Sequence, residues 1–141
     1  MNRILIVDDD PASVALLEAY LGDEASEIRS VSESHHVEQA FLEFEPDIVL
    51  LDLHMPKPDG LEILSNLSSM RRSLGFLPVI VLTGDTGRVA RNSALLLGAD
   101  DFLTKPLDEQ EVVLRVRNLL QTRRLWVELA DANRALEEKA I

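Results

Sequence analysis

Five short strand-like runs, three of them wholly Ile, Val and Leu, each followed by a longer stretch with apolar residues at helical spacing, constrain this chain more than any other feature. Strands that alternate with helices build βαβ units, and successive units lay their strands parallel in one sheet. The third run, Ile48-Val49-Leu50-Leu51, has no polar alternation. Both of its faces are therefore covered, which places it at the centre of a sheet with helices on either side.

Strands are expected at residues 4–7, around 28–31, and at 48–51, 79–82 and 101–104. Asp10 and Pro11 read as the N-cap and first position of a helix with Val14, Leu17 and Leu21 on one face and Gly22 as its stop. Ser32 or Ser34 can cap a second helix that buries Val37, Ala40, Phe41 and Phe44 and closes at Pro46. The loop Met55-Pro56-Lys57-Pro58-Asp59-Gly60 leads into a helix over about 61–72, and Gly75 and Pro78 mark the next break. A fourth helix carries Val89, Ala90, Leu95 and Leu96 up to Gly98. Asp108 caps a final helix with Val112, Val116, Leu119 and Leu120 inward, which runs on to the chain end without Gly or Pro.

Composition sets the outer bounds. With 141 residues, 46% of them hydrophobic, the chain suits one compact domain with a short appendage. The formal net charge of -11 resides wholly in residues 1–120, because 121–141 hold four basic and four acidic residues. Such a surface repels phosphate backbones and anionic lipid, so direct nucleic-acid or membrane binding is not expected. The absence of cysteine excludes disulfides, zinc thiolate sites and thiol nucleophiles. The first apolar run is too short for a signal peptide or membrane span, which reads as cytoplasmic.

In an open parallel sheet, function gathers beyond the carboxyl ends of the strands, where strand order reverses. Here strand one ends in Asp8-Asp9, strand three in Asp52, strand four in Thr83 and strand five in Lys105. If the order is 2-1-3-4-5, three carboxylates converge while a hydroxyl and an ammonium approach from the other side. That arrangement suits a phosphoryl group and a cation. Crowded carboxylates resist ionising together unless a cation compensates, and Mg2+, a hard ion taking oxygen ligands, suits them best. Asp8-Asp9-Asp10 lacks the spacing, central Gly and closing Glu of an EF-hand. Each residue alone has an ordinary explanation: solvated acid, helix cap or surface lysine. Asp52, directly after four apolar residues, most needs a partner or a role. His35 and His36 read as surface or boundary residues, and His54 is the histidine nearest the site.

These residues carry a resemblance. Ile4-Leu5-Ile6-Val7-Asp8-Asp9, Leu51-Asp52-Leu53-His54-Met55-Pro56 with Asp59-Gly60, Val81-Leu82-Thr83-Gly84, and Gly98 through Pro106 occur in order, and over roughly residues 2–120 the sequence resembles the receiver domain of two-component response regulators. The resemblance implies a doubly wound α/β fold, five parallel strands in the flavodoxin-like order 2-1-3-4-5. It implies that Asp52 is the phosphoacceptor for a sensor histidine kinase or phosphotransfer protein, and that Asp8, Asp9, Asp52 and the backbone carbonyl of His54 hold Mg2+. Thr83 would bond the phosphoryl group, Lys105 would pair with it, and Lys105-Pro106 would be cis. Where the family often has Tyr this chain has Phe102, so the switch formed with Thr83 would be one of aromatic packing. The stretch from Arg71 to Leu77 is slightly long for the family and is expected to be a loop. A haloacid-dehalogenase-like phosphohydrolase is the enzymatic alternative, but His54 stands where that class wants a second carboxylate. A scaffold that keeps the fold without phosphorylation is the other, and no site carboxylate is lost.

Residues 1–120 then form a receiver, and 121–141 a helical extension. Leu119, Thr122, Trp126, Leu129, Asn133, Leu136 and Ala140 follow heptad spacing and predict a homodimer seam, with Asn133 favouring two parallel strands. A lone helix lying back on its own domain is the alternative. A seam that stops at Ile141 suggests that the natural chain runs on into an output domain.

Overall fold

The computed structural model describes residues 2–56, 59–71, 75–84 and 88–140, the side chains of 88–91 and 140 excepted. Five parallel strands, β1 (Arg3–Val7), β2 (Glu27–Val31), β3 (Ile48–Asp52), β4 (Val79–Thr83) and β5 (Asp101–Thr104), form one sheet in the order β2-β1-β3-β4-β5. Helices α1 (Pro11–Leu21), α2 (Val37–Phe44), α3 (Gly60–Arg71), α4 (Arg88–Leu96) and α5 (Glu109–Ala140) connect and extend the strands. The expected fold class and strand order are those observed.

Strand pleat sorts the core into two layers. Ile4, Ile6, Ile48, Leu50, Ile80, Leu82 and Leu103 face Leu17 and Leu21 of α1 and Val112, Val116 and Leu120 of α5. Leu5, Val7, Val49, Leu51, Val79 and Val81 point the other way, against α2, α3 and Ala94 of α4. All five β3 residues are buried, and the four apolar ones contribute about 1.5–3 kcal/mol each. A strand this apolar on both faces cannot slip register without moving buried residues, which holds Asp52 at its place.

Local signals hold at most helix ends. The Asp10 side chain accepts from the Ala12 amide, and the Asp108 carboxylate accepts from Glu111 at 3.0 Å. Two expectations are corrected. Neither Ser32 nor Ser34 caps α2: a short 3-10 turn, Ser34–His36, precedes that helix without a side-chain cap, and Ser34 Oγ donates to the Pro56 carbonyl at 3.0 Å. Leu95 and Leu96 do not pack inward, being 45% and 88% exposed, because Ala94 takes the core position of α4. The expected roles of Lys57, Pro58, Val89, Ala90 and Ala140, and the loop through 72–74, lie outside the described residues.

Candidate functional site

Strand ends deliver the polar groups. Asp8 directly follows β1, Asp52 ends β3, Thr83 ends β4, and Lys105 follows β5, its amide donating to the Thr83 carbonyl at 2.8 Å. Asp52 pairs in register with Leu82, which sets the phosphoacceptor candidate one position from Thr83 on the neighbouring strand. Asp8, Asp52 and Thr83 are buried, whereas Asp9 is exposed. The Lys105–Pro106 peptide is cis.

Lys105 Nζ lies 3.1 Å from Asp8 Oδ2 and 3.5 Å from Asp52 Oδ2. Backbone amides take the other oxygens: Asp10 donates to Asp8 Oδ1 at 2.9 Å and His54 donates to Asp52 Oδ1 at 3.0 Å. Burial pushes the Asp8 carboxyl above its ordinary value of 3.8 and Asp52 repels it further, while the Asp10 amide and Lys105 pull the other way. Burial also works against the Lys105 ammonium, yet its hydrogen bond to Asp8 and the charges of Asp52 and Asp8 outweigh that and hold its pKa above 10.5. Two buried carboxylates thus share one ammonium.

One oxygen each from Asp8, Asp9 and Asp52 lies within 4.8 Å of the others, a set able to hold a metal ion. All three donors are hard carboxylate oxygens, which fits Mg2+ better than a thiophilic or imidazole-seeking ion. Phe102 is partly buried against the core layer beneath α4, with the Arg115 guanidinium 5.8 Å from its ring centroid. Arg115 in turn bridges to Asp101 at 2.9 Å.

The fold and this crevice match a known family. Residues 4–117 fit the response regulator receiver domain. The chain belongs to this family. Among curated relatives, the transcriptional regulatory protein GltR of Pseudomonas aeruginosa is 38% identical over 120 residues, covering 85% of this chain and 49% of that protein. The transcriptional regulatory protein CpxR of Escherichia coli K12 is 38% identical over 135 residues, covering 94% of this chain and 55% of that protein. The receiver thus spans about half the length of these relatives. Among solved structures, the receiver domain of NtrX from Brucella abortus has a TM-score of 0.76 at 29% identity, covering 84% of this chain and 98% of that one. A longer NtrX structure reaches a TM-score of 0.83 at 29% identity, covering 94% of this chain and 30% of that one. This receiver is accordingly a signalling module of the two-component class.

Two supports of the site went unread in the sequence as supports. A Cβ added to Gly60 would stand 2.3 Å from Leu53 Cα and 2.6 Å from the Asp52 carbonyl oxygen, so α3 can begin against the end of β3 only because this position has no side chain. The Ser34–Pro56 bond ties the turn after β2 to the loop after Asp52. A glycine directly after Asp59 hinted at the first; nothing in the sequence signalled the second.

The extension is continuous with α5 and contacts the receiver body. Arg123 Nε lies 3.2 Å from Asp47 Oδ1, and its guanidinium also donates to the Phe76 carbonyl. Asp47 Oδ2 accepts from the Arg3 amide at 2.7 Å, which anchors that carboxylate to β1. The Trp126 indole fills the space beside Gly75, where a Cβ would meet it at 2.3 Å, at a φ of 81° that also favours glycine. Of the predicted seam, Leu119 is partly buried, while Trp126, Leu129 and Leu136 are 43%, 61% and 65% exposed and Asn133 is exposed too. Among the described residues no helix is long and apolar enough to cross a membrane.

Proposed function

We propose that this receiver accepts a phosphoryl group on Asp52 from the phosphohistidine of a sensor histidine kinase or phosphotransfer protein, and that the phosphorylated form alters pairing or partner binding through the helical extension. The observation that carries the reading is the shared lysine: Asp8 and Asp52 are buried beside one ammonium. An Asp52 carboxylate oxygen forms the new P–O bond as the P–N bond to imidazole breaks, and the electron pair leaves with the imidazole. Asp8, Asp9, Asp52 and the His54 carbonyl would hold Mg2+, which when bound would neutralise charge on the phosphoryl oxygens. Lys105 stands ready to pair with a phosphoryl oxygen, and Thr83, on the adjacent strand end, to donate its hydroxyl. Residues 1–120 would carry this chemistry and 121–141 would act as linker or dimerisation helix.

Mass spectrometry after incubation with acetyl phosphate and Mg2+ tests the assignment. One added phosphoryl group is expected on Asp52, and none on Asp52→Asn. Undiminished labelling of Asp52→Asn would overturn it.

A further inference from the structure

Outside the aspartate crevice, one other group of metal-ligating side chains comes together among the described residues. Glu33, His35 and His36 lie on and just before the 3-10 turn that follows β2, and one ligand atom of each falls within 4.8 Å of the others. His35 Nε2 is 3.2 Å from Glu33 Oε2, and His36 Nδ1 is 3.5 Å from the same oxygen. A tetrahedral Zn2+ with bonds of about 2.0–2.2 Å holds its ligand atoms about 3.3–3.6 Å apart. The His36–Glu33 separation sits at that spacing, and the His35–Glu33 separation is just short of it.

The turn presents these side chains together. His36 N donates to the Glu33 carbonyl at 3.0 Å, so the first and last ligands are set by a closed backbone ring. Buried Val37 follows the end of the turn, and Ser34 Oγ on the Pro56 carbonyl anchors its start. The two imidazole rings stand 4.1 Å apart at 56°, and one nitrogen of each approaches the same Glu33 oxygen. Ordering three exposed side chains costs conformational entropy that water-exchangeable hydrogen bonds offset poorly, whereas bonds to a metal offset it well. Adjacent ligands from four consecutive residues also lose little more on binding.

We propose that Glu33, His35 and His36 form a second cation site, for a transition ion of the Zn2+, Ni2+ or Cu2+ class, separate from the carboxylate crevice. Two imidazoles and one carboxylate favour such ions over Mg2+, and three protein ligands leave a coordination position open to water or a partner's side chain. The Ser34–Pro56 bond makes the site a second input to the loop after Asp52, independent of phosphorylation.

Calorimetric titration of the full chain with ZnCl2 in excess MgCl2 tests this, the Mg2+ being there to occupy the aspartates. One equivalent of Zn2+ is expected to bind. Glu33→Gln and the double variant His35→Gln/His36→Gln should each weaken it more than about tenfold, with circular dichroism unchanged because all three residues are exposed. In amide spectra, Zn2+ should shift residues 33–37 first and then those flanking Pro56. No Zn2+ binding in excess Mg2+, affinity unchanged in the double variant, or shifts centred on Asp8, Asp9 and Asp52 would each overturn the proposal.

Discussion

Asp8 and Asp9 are neighbours in sequence with opposite surroundings. Asp8 is wholly buried and held by Lys105 and the Asp10 amide, so replacing it disturbs packing and chemistry together. Asp9 is exposed, which separates the two effects. Asp9→Asn should weaken Mg2+ binding more than about tenfold while the fold persists, and its melting temperature without Mg2+ should equal or exceed the native one, because one repelling carboxylate is gone. Paired Mg2+ titrations and melting curves check this; a clear loss of stability would show that Asp9 supports the fold. Thr83 and Phe102 invite a similar separation. Thr83→Ala should still accept a phosphoryl group, since the hydroxyl is not the nucleophile, but should fail to shift the conformational population. Amide spectra of the phosphorylated variant should then stay close to the unphosphorylated ones. A full native-like shift would remove Thr83 from the coupling.

Among the helices, α5 is held beyond its core face by Arg115 on Asp101 and by two further ties. In its first third Arg117 pairs with Glu24, just beyond α1, at 2.5 Å. The Arg117 hydrogen bond holds the Glu24 carboxyl below its ordinary 4.5, so this pair contributes stability above that range and loses it as pH falls through the lowered value. Glu24→Gln should therefore melt slightly lower than native near neutrality, the gap closing in acid. Melting curves across the acidic range read it directly. Further along, Arg123 and Trp126 clamp the helix to Asp47, Phe76 and Gly75. Trp126 is the single tryptophan, so its emission reports on this contact alone. Asp47→Ala should move that emission toward the solvent-exposed value, because Arg123 loses its carboxylate and the helix loses its hold. Unchanged emission would mean that the indole packs without help from Arg123.

Taken together, the receiver body and extension share one helix, and the clamp fixes where the free portion starts. Beyond Val127, Leu129 and Leu136 are apolar residues that are 61% and 65% exposed. Burying each could yield about 1.5–3 kcal/mol, against the entropy of association, so a dimer of moderate affinity is expected. A chain ending at Leu120 should be monomeric yet still accept a phosphoryl group on Asp52. A chain ending at Val127 should also be monomeric while keeping the Trp126 contact, which separates loss of pairing from loss of the clamp. Asn133→Leu should tighten association and loosen its stoichiometry. Sedimentation at equal concentration decides: the same association state for full and shortened chains would exclude residues 121–141 from pairing.

Strand count, parallel pairing and the residues at the strand ends were legible in the sequence because they rest on local periodicity, whereas the order 2-1-3-4-5 was implied by the family resemblance. Ile48-Val49-Leu50-Leu51 states that its strand is covered on both faces, and Asp52 directly after it states that a carboxylate lies at the buried rim. The crevice was legible for the same reason, since every strand end of a parallel sheet faces one way. Side-chain partners were not. Ser34 looked like a cap until the loop after β3 offered it the Pro56 carbonyl, and Leu95 and Leu96 looked like core until Ala94 filled that place. His35 and His36 read as ordinary surface residues, and only the turn shows both imidazoles meeting Glu33. Lys105 meets Asp8 across 97 positions, and Arg123 meets Asp47 across 76. Periodicity is carried by contiguous residues and survives any arrangement of the loops. A pairing between distant side chains exists only once the sheet has closed and each rotamer has been chosen against its neighbours, and that choice belongs to the tertiary structure.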